Sequence, residues 1–545
     1  MSENTQQTEN KKVCAILLDT KSIQKYIFSS NKLKLNIAAS YLVRTIFDEI
    51  MLKILKKEYG LKNENWQESN EIEMAAKPND IECEIAYAGG GNMLILVNKG
   101  DKKKNEDTAK EIVEKWTREL LLKVPGLKTG AAIGEINLSS QISNKEIKPL
   151  FTQLKNNQNE IFPNVKLPYT GLTVECAYTG DSADYYYDEK DSKSKYFSAE
   201  AISKLENLEI AKDCLKYEDG IKQEFTEIYK YLRRERLRFT DSIEDLGQQT
   251  GNEYVAIVHI DGNNMGEKFS KCGTLQQRKQ ESKKISRKTR DAFNQLIKSI
   301  GSDAEWEKLS KFLDLTTYLP IRPIIIGGDD ITFVCPAKTA VIFAKRFMDY
   351  LYEGDGFSSC AGIVIIPTKY PFFRAYQLAE ELCGAAKKES RQDKEGKGSS
   401  WLDFAILHGE QEASLEQIRQ TEYKGAKGDM HFGPYYVNGV TVNPKKDEKD
   451  IKKLIAGAIA LEKMPKNKVK LLRDIIGKDK SEIRLFVEQL RHLNQQKYLE
   501  AANKKYSNNI WEKDQWGNDQ TPYLDMIELM DFVYDENGSN GGDKK

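Results

Sequence analysis

The chain runs through one order of elements twice, and this duplication restricts its fold more than any other feature. The first half reads VCAILLDT, a helical stretch over Ala38–Tyr59, IECEIAYAGG, NMLILVN, a second helical stretch over Asp107–Val124, and LKTGAAIGEI. The second half reads YVAIVHID, a helical stretch over Gln276–Ile300, RPIIIGG, ITFVC, a helical stretch over Ala337–Glu353, and a strand at Cys360–Ile366. Short β-branched runs bounded by Gly and Asp predict strands. Apolar residues three and four apart, such as Val341, Ala344, Phe347 and Leu351, predict amphipathic helices. Each half is therefore β-α-β-β-α-β, the ferredoxin-like order. Asp19 and Asp261 close the first strands 242 positions apart, and Gly89 and Gly327 open the hairpin turns 238 positions apart. Two landmarks with nearly one offset predict an internal repeat.

The 545 residues leave room for further domains around the repeat. The expected division is a polar tail over 1–12, a first β-α-β-β-α-β domain over 13–139, a mainly helical intervening domain over 140–250, a second β-α-β-β-α-β domain over 251–410, a C-terminal helical bundle over 411–534 and a polar tail over 535–545. The second β-α-β-β-α-β domain continues into a helix at Phe372–Glu389 and a strand at Trp401–Leu407. Charged stretches at Asp188–Lys195, Arg391–Ser400 and Asn443–Asp450 read as linkers. The fold class is α+β. Lys+Arg and Asp+Glu both number 83, so no net basic field points to generic nucleic-acid binding. Eight cysteines form no CxxC pair, which fits a reducing cytoplasm better than a zinc ribbon or a disulfide framework. No apolar run spans a membrane, and the N-terminus has no signal core.

The chemistry gathers at PIIIGGDDITFVC. Gly327 and Gly328 permit a tight reversal and leave the backbone open to a ligand. Asp329 and Asp330 follow at the start of the next strand, and Asp261 in HIDGNNMG ends the neighbouring one. Carboxylates that converge repel unless a cation sits among them, and hard oxygen donors favour Mg²⁺ or Mn²⁺. The expected metal set is Asp261, Gly262 through its carbonyl, Asp329 and Asp330, with Asp329 and Asp330 catalytic. Two such ions would activate a hydroxyl and stabilise a departing phosphate. Lys387, near the end of a helix, would reach a triphosphate as a point charge. Asn263, Asn264, Gly327 and Gly328 would line the nucleotide. Taken singly, these residues read as a turn, a strand cap and a surface lysine. Their consistent positions in one β-α-β-β-α-β unit favour a site.

These residues resemble the palm of GGDEF-type nucleotide cyclases and, more closely, the large polymerase/cyclase subunit of type III CRISPR effector complexes. IIIGGDDITFV resembles that family's GGDD hairpin, HIDGNNMG its first metal-binding strand, and AEELCGAAKKESR its phosphate-lysine helix. LLDTKSIQKYIFSSNKLKLNIAASYLV resembles its first palm. The resemblance implies antiviral synthesis of cyclic oligoadenylates from ATP: a 3′-hydroxyl attacks the next α-phosphate, with two metal ions as cofactor. It also implies other effector subunits and guide or target RNA as partners. The first half departs at AYAGGGNMLIL, where Gly91 and Asn92 replace the two acids. That half reads as a degenerate palm that positions a nucleotide through Gly90, Gly91 and Asn92, or that serves only as a structural partner. None of the four histidines precedes an Asp, and Cys176 and Cys214 stand alone. The family's histidine-aspartate nuclease and zinc cluster are therefore not expected here. Two other readings compete: a GGDEF-like dinucleotide cyclase, and a non-catalytic RNA-binding scaffold. Asp330 and Ile331 in place of Glu and Phe disfavour the first, and the intact acidic set disfavours the second.

Overall fold

The computed structural model describes residues 12–535 apart from 62–70, 78–79, 90, 140, 161–167, 189–194, 214–227, 229–230, 233, 244, 247–253, 316, 355, 392–397, 410–413, 427, 442, 444–445, 479 and 514–518. Both polar tails, Gly90, Cys214 and most of the expected linkers at 188–195 and 391–400 lie outside the described residues. The chain divides into two compact units. One holds residues 1–229 and 265–288, the other 230–264 and 289–545.

In the first unit, β1 (Lys12–Lys21) is followed by α1 (Leu33–Thr45), which continues through a π-helical turn at Ile46–Met51 into Leu52–Glu58. Then come β2 (Cys83–Gly89), β3 (Asn92–Val97), α2 (Lys102–Lys123) and β4 (Lys128–Asn137). The strand order is β2-β3-β1-β4, and every neighbouring pair is antiparallel. This is the ferredoxin-like sheet that the element order predicts. Val13 to Leu18 are all buried, so β1 has no water-facing side. Val13, Ala15 and Leu17 pack with Ile147, Leu150 and Leu154 of α3 (Asn144–Glu160). α2 starts five residues earlier than its apolar periodicity predicts, because the Asp101 side chain accepts from Lys104 N at 2.9 Å and caps it.

Part of the intervening segment expected over 140–250, including 214–227, lies outside the described residues. Its described residues include α3, a small hairpin pairing Tyr185–Tyr186 with Tyr196–Phe197, α4 (Ala199–Glu206) and a helix at Leu208–Asp213. It is also joined to the first palm by a buried ion pair. Lys204 and Glu200, on α4, have side chains 0% and 1% exposed and lie 2.7 Å apart. Lys204 Nζ also donates to Tyr26 O at 2.8 Å and Ser29 Oγ at 2.7 Å, and it sits 4.3 Å from the centre of the Tyr26 ring.

In the second unit, β5 (Tyr254–Gly262) precedes α5 (Leu275–Ile300), whose residues from Thr289 onward belong to this unit. Next come β6 (Arg322–Gly327), β7 (Asp330–Pro336), α6 (Ala340–Tyr352), β8 (Ser359–Pro367), α7 (Phe372–Ser390), β9 (Ser399–Ile406) and β10 (Tyr435–Gly439). The sheet order is β10-β9-β8-β5-β7-β6. Its last four strands repeat the order of the first sheet. β9 extends it in parallel to β8, and β10 closes the edge.

The span expected to hold the C-terminal helical bundle, 411–534, also gives one strand, β10, to the palm. It then forms helices at Ile451–Glu462, Lys466–Ile476, Lys480–His492, Gln496–Ala502 and Tyr523–Leu529, and a small hairpin at Glu512–Lys513 and Asp519–Gln520. A buried polar cluster fastens this region to β9. His431 lies 2.9 Å from Asp403 Oδ1 and 3.0 Å from Asp525 Oδ1, and Arg419 lies 3.1 Å from Asp403. Asp525 also accepts from Phe432 N and Tyr435 Oη.

α7 rests on the sheet at one glycine. A Cβ on Gly362 of β8 would come 1.9 Å from Ala379 O and 2.6 Å from Cys383 N, both backbone atoms of α7. Gly362→Ala is expected to cost at least about 1–3 kcal/mol by forcing the helix off the sheet; a lowered urea midpoint for the second unit checks this. In the first unit, Lys204→Met is expected to destabilise by roughly 3–5 kcal/mol, because Glu200 is left charged and buried. Calorimetry of wild type and variant checks it.

Candidate active site

Sheet register decides which side chains meet. Asp261 stands opposite Asp330 across β5 and β7, and opposite Cys360 across β5 and β8. Two residues along, His259 stands opposite Thr332 and Gly362. Directly paired residues share a face, and so do residues two apart. Asp261, His259, Asp330, Thr332, Cys360 and Gly362 thus form one patch, and α7 covers it. The bare Gly362 lets the helix approach, and a stripe of α7 side chains follows. The Tyr376 ring meets His259 edge-on at 5.4 Å, Cys383 Sγ donates to Cys360 O at 3.2 Å, and Lys387 Nζ donates to Asp261 Oδ2.

Asp329 occupies the turn and Asp330 begins β7. Gly262 N donates to Asp329 O at 3.1 Å, which fixes the turn against the end of β5. Gly328 has φ +59°, the left-handed value that favours glycine, and a Cβ on Gly327 or Gly328 would meet nothing within 4 Å. The space beside the turn is therefore open. Thr289 Oγ1 donates to Gly328 O at 2.8 Å from the far side.

The electrostatics are those of crowded acids. Burial, then the charge of Asp261 and a hydrogen bond to it, pushes the Asp329 carboxyl up to about 7. Asp330 is also raised, by burial first and by Asp261 second. Its Oδ1 is buried and accepts no hydrogen bond, although His259 Nδ1 lies 3.3 Å away. Burial lowers the His259 imidazole, so it is neutral near pH 7, and Nδ1 lies 3.1 Å from Thr332 Oγ1. Lys387 is raised: burial disfavours its charge, but Asp261 outweighs that.

Among the described residues no group of three or more His, Cys, Asp or Glu side chains is arranged to hold a metal ion. The donor chemistry nevertheless suits a hard divalent cation: the oxygens that meet at the strand ends are carboxylates, and Asp330 Oδ1 lacks a hydrogen-bond donor.

The expected site residues separate into two groups. Asp261, Asp329, Asp330 and Lys387 come together, with Gly327 and Gly328 beside them. Asn263 turns inward instead. Its amide nitrogen is buried and donates to Ser390 Oγ at 3.0 Å and Ser399 O at 2.9 Å, so it braces the palm. Asn264 is exposed at φ +59°.

In the first palm, Asn92 stands opposite Asp19 as Asp330 stands opposite Asp261, and Thr20 N donates to Gly91 O as Gly262 N does to Asp329 O. Gln158 Nε2 of α3 donates to Asp19 Oδ2 at 2.7 Å, in the place that Lys387 takes in the second palm. Gly130, opposite Asp19, is bare beneath Gln158. Sequence reasoning missed His259, Tyr376 and Gln158. The i, i+7, i+11 spacing of Tyr376, Cys383 and Lys387 was the available signal for a covering stripe.

Residues 254–395 match the family model of the Cas10/Cmr2 second palm domain. This stretch, about a quarter of the chain, thus resembles the second palm domain of Cas10/Cmr2 proteins. The chain's fold matches Csm1 of T. onnurineus at 14% identity and a TM-score of 0.53, covering 96% of this chain and 71% of that one. It also matches a Csm1–Csm4 cassette in complex with cA4, at 14% identity and a TM-score of 0.52, covering 96% and 70%. A third match, a Csm1–Csm4 cassette in complex with pppApA, has 14% identity and a TM-score of 0.51, covering 96% and 70%. No curated protein matches the chain. Among the described residues no helix is long and apolar enough to cross a membrane.

Three acids that crowd one another work against folding stability. Asp330→Asn is expected to raise the stability of the nucleotide-free protein, by on the order of 1 kcal/mol. An upward shift in melting temperature checks this.

Proposed function

We propose that this protein is the nucleotide cyclase of a type III CRISPR-like effector, making cyclic oligoadenylates from ATP alongside other effector subunits. The observation that carries the reading is the meeting of Asp261, Asp329 and Asp330 at an open glycine turn beside Lys387. A scaffold has no use for three repelling carboxylates, and the first palm keeps the same hairpin without the paired acids. The Csm1–Csm4 cassettes of similar fold in complex with cA4 and with pppApA support the reading.

In the proposed reaction the 3′-hydroxyl oxygen of one ATP attacks the α-phosphorus of the next. A new P–O bond forms, the bond from α-phosphorus to the bridging oxygen breaks, pyrophosphate leaves, and the hydroxyl proton passes to a base at the acidic cluster. Asp261, Asp329 and Asp330 would hold Mg²⁺ or Mn²⁺, which when bound lowers the hydroxyl's pKa and offsets charge on the leaving group. The open backbone at Gly327 and Gly328 admits the phosphates, and Lys387 pairs with them. Asn92, Gly91 and Gly90 of the first palm would supply neutral hydrogen bonds to a nucleotide.

The test incubates purified protein with each labelled NTP and Mg²⁺ or Mn²⁺, with and without candidate RNA, and reads pyrophosphate and product mass. ATP is expected to give cyclic oligoadenylates. Asp329→Ala/Asp330→Ala is expected to lower the rate at least ~100-fold. A cyclic dinucleotide product would favour the GGDEF-like reading, and no pyrophosphate under any condition would remove the cyclase reading.

A further inference from the structure

The ammonium of Lys387 lies where a cation is needed. It donates to Asp261 Oδ2, and Asp261 faces Asp330 and is hydrogen-bonded to Asp329. An oxygen committed to an ammonium is a poor donor to a divalent ion at the same time.

The first palm shows what the same position does without the paired acids. Gln158 reaches Asp19 from the helix that covers the equivalent face, through a neutral amide. Bridging helix to strand-end carboxylate therefore does not require a charge. The charge of Lys387 answers the acids that the first palm lacks. Lys387 stands near the C-terminal end of α7 on a flexible four-carbon stem and is 21% exposed, so its head has somewhere to go.

We propose that Lys387 is a resident counter-ion: it holds Asp261 while nucleotide is absent and gives it up to a divalent cation when a triphosphate draws the ammonium away. This rests on reading the site as a metal-dependent nucleotide site. Linkage then makes nucleotide and cation binding mutually reinforcing, with one lysine as the coupling element.

The test measures Mn²⁺ affinity of the full chain without nucleotide, from the electron paramagnetic resonance signal of free Mn²⁺. It also measures AMPPNP affinity in EDTA. Lys387→Met is expected to bind Mn²⁺ about 10-fold more tightly than wild type and AMPPNP about 10-fold more weakly. Lys387→Gln, which copies the first palm, is expected to fall between them while its melting curve stays two-sidedly comparable to wild type. Asp261→Asn is expected to lose Mn²⁺ binding. Equal or weaker Mn²⁺ binding by both Lys387 variants, with wild-type binding intact, overturns the counter-ion role alone. Absence of Mn²⁺ binding in every protein tested overturns the metal reading and the counter-ion role with it.

Discussion

The second palm depends on how closely α7 can approach β8, and a single missing side chain sets that distance. Gly362 lets backbone rest against backbone, and every contact along the covering stripe follows from that spacing. Tyr376 reaches His259, Cys383 reaches Cys360, and Lys387 reaches Asp261 because the helix lies that low. Packing in the core thus sets electrostatics at the rim. The acids sit at strand ends whose register is fixed by paired neighbours over many residues, so their crowding is imposed by the sheet and is not relieved by local adjustment.

The two palms share a frame and differ in what it carries. In both, the strand-end aspartate faces the first residue of the hairpin's second strand, the next backbone N–H ties the turn, and a helix side chain reaches the aspartate from above. In the first palm these positions are Asp19, Asn92 and Gln158, with one formal charge among them. In the second they are Asp261, Asp330 and Lys387, all ionisable, with Asp329 added. The frame is the fold's own. The charges have been added to or removed from it without changing the register.

Much of this was legible in the sequence, because strands with β-branched runs, glycine turns and terminal acids carry their own punctuation. The offsets of Asp19 to Asp261 and Gly89 to Gly327 exposed the repeat before any coordinates. What stayed hidden depended on tertiary neighbours. α3, not singled out by the sequence pattern, runs through Pro149 and buries Leu150 and Leu154 against the sheet. Gly362 looks like a weak point within a strand, and only the overlying helix explains it. Asn263 follows a metal-type motif and so reads as a ligand contact, although its amide points into the protein. β10 lies within the span assigned to the C-terminal bundle, ahead of its helical spacing, and is recruited by the open edge of β9.

That inward asparagine has an effect beyond the site. Ser390 closes α7 and Ser399 opens β9, and both meet the Asn263 amide, while Ser390 Oγ also donates to Ser399 O. The two ends of the intervening chain are therefore clasped at one buried point. Whatever length the chain between them has, the clasp isolates α7 from it. Insertions or deletions there would be absorbed without moving Lys387, which makes this connection the place where relatives can vary in size while the chemistry stays still.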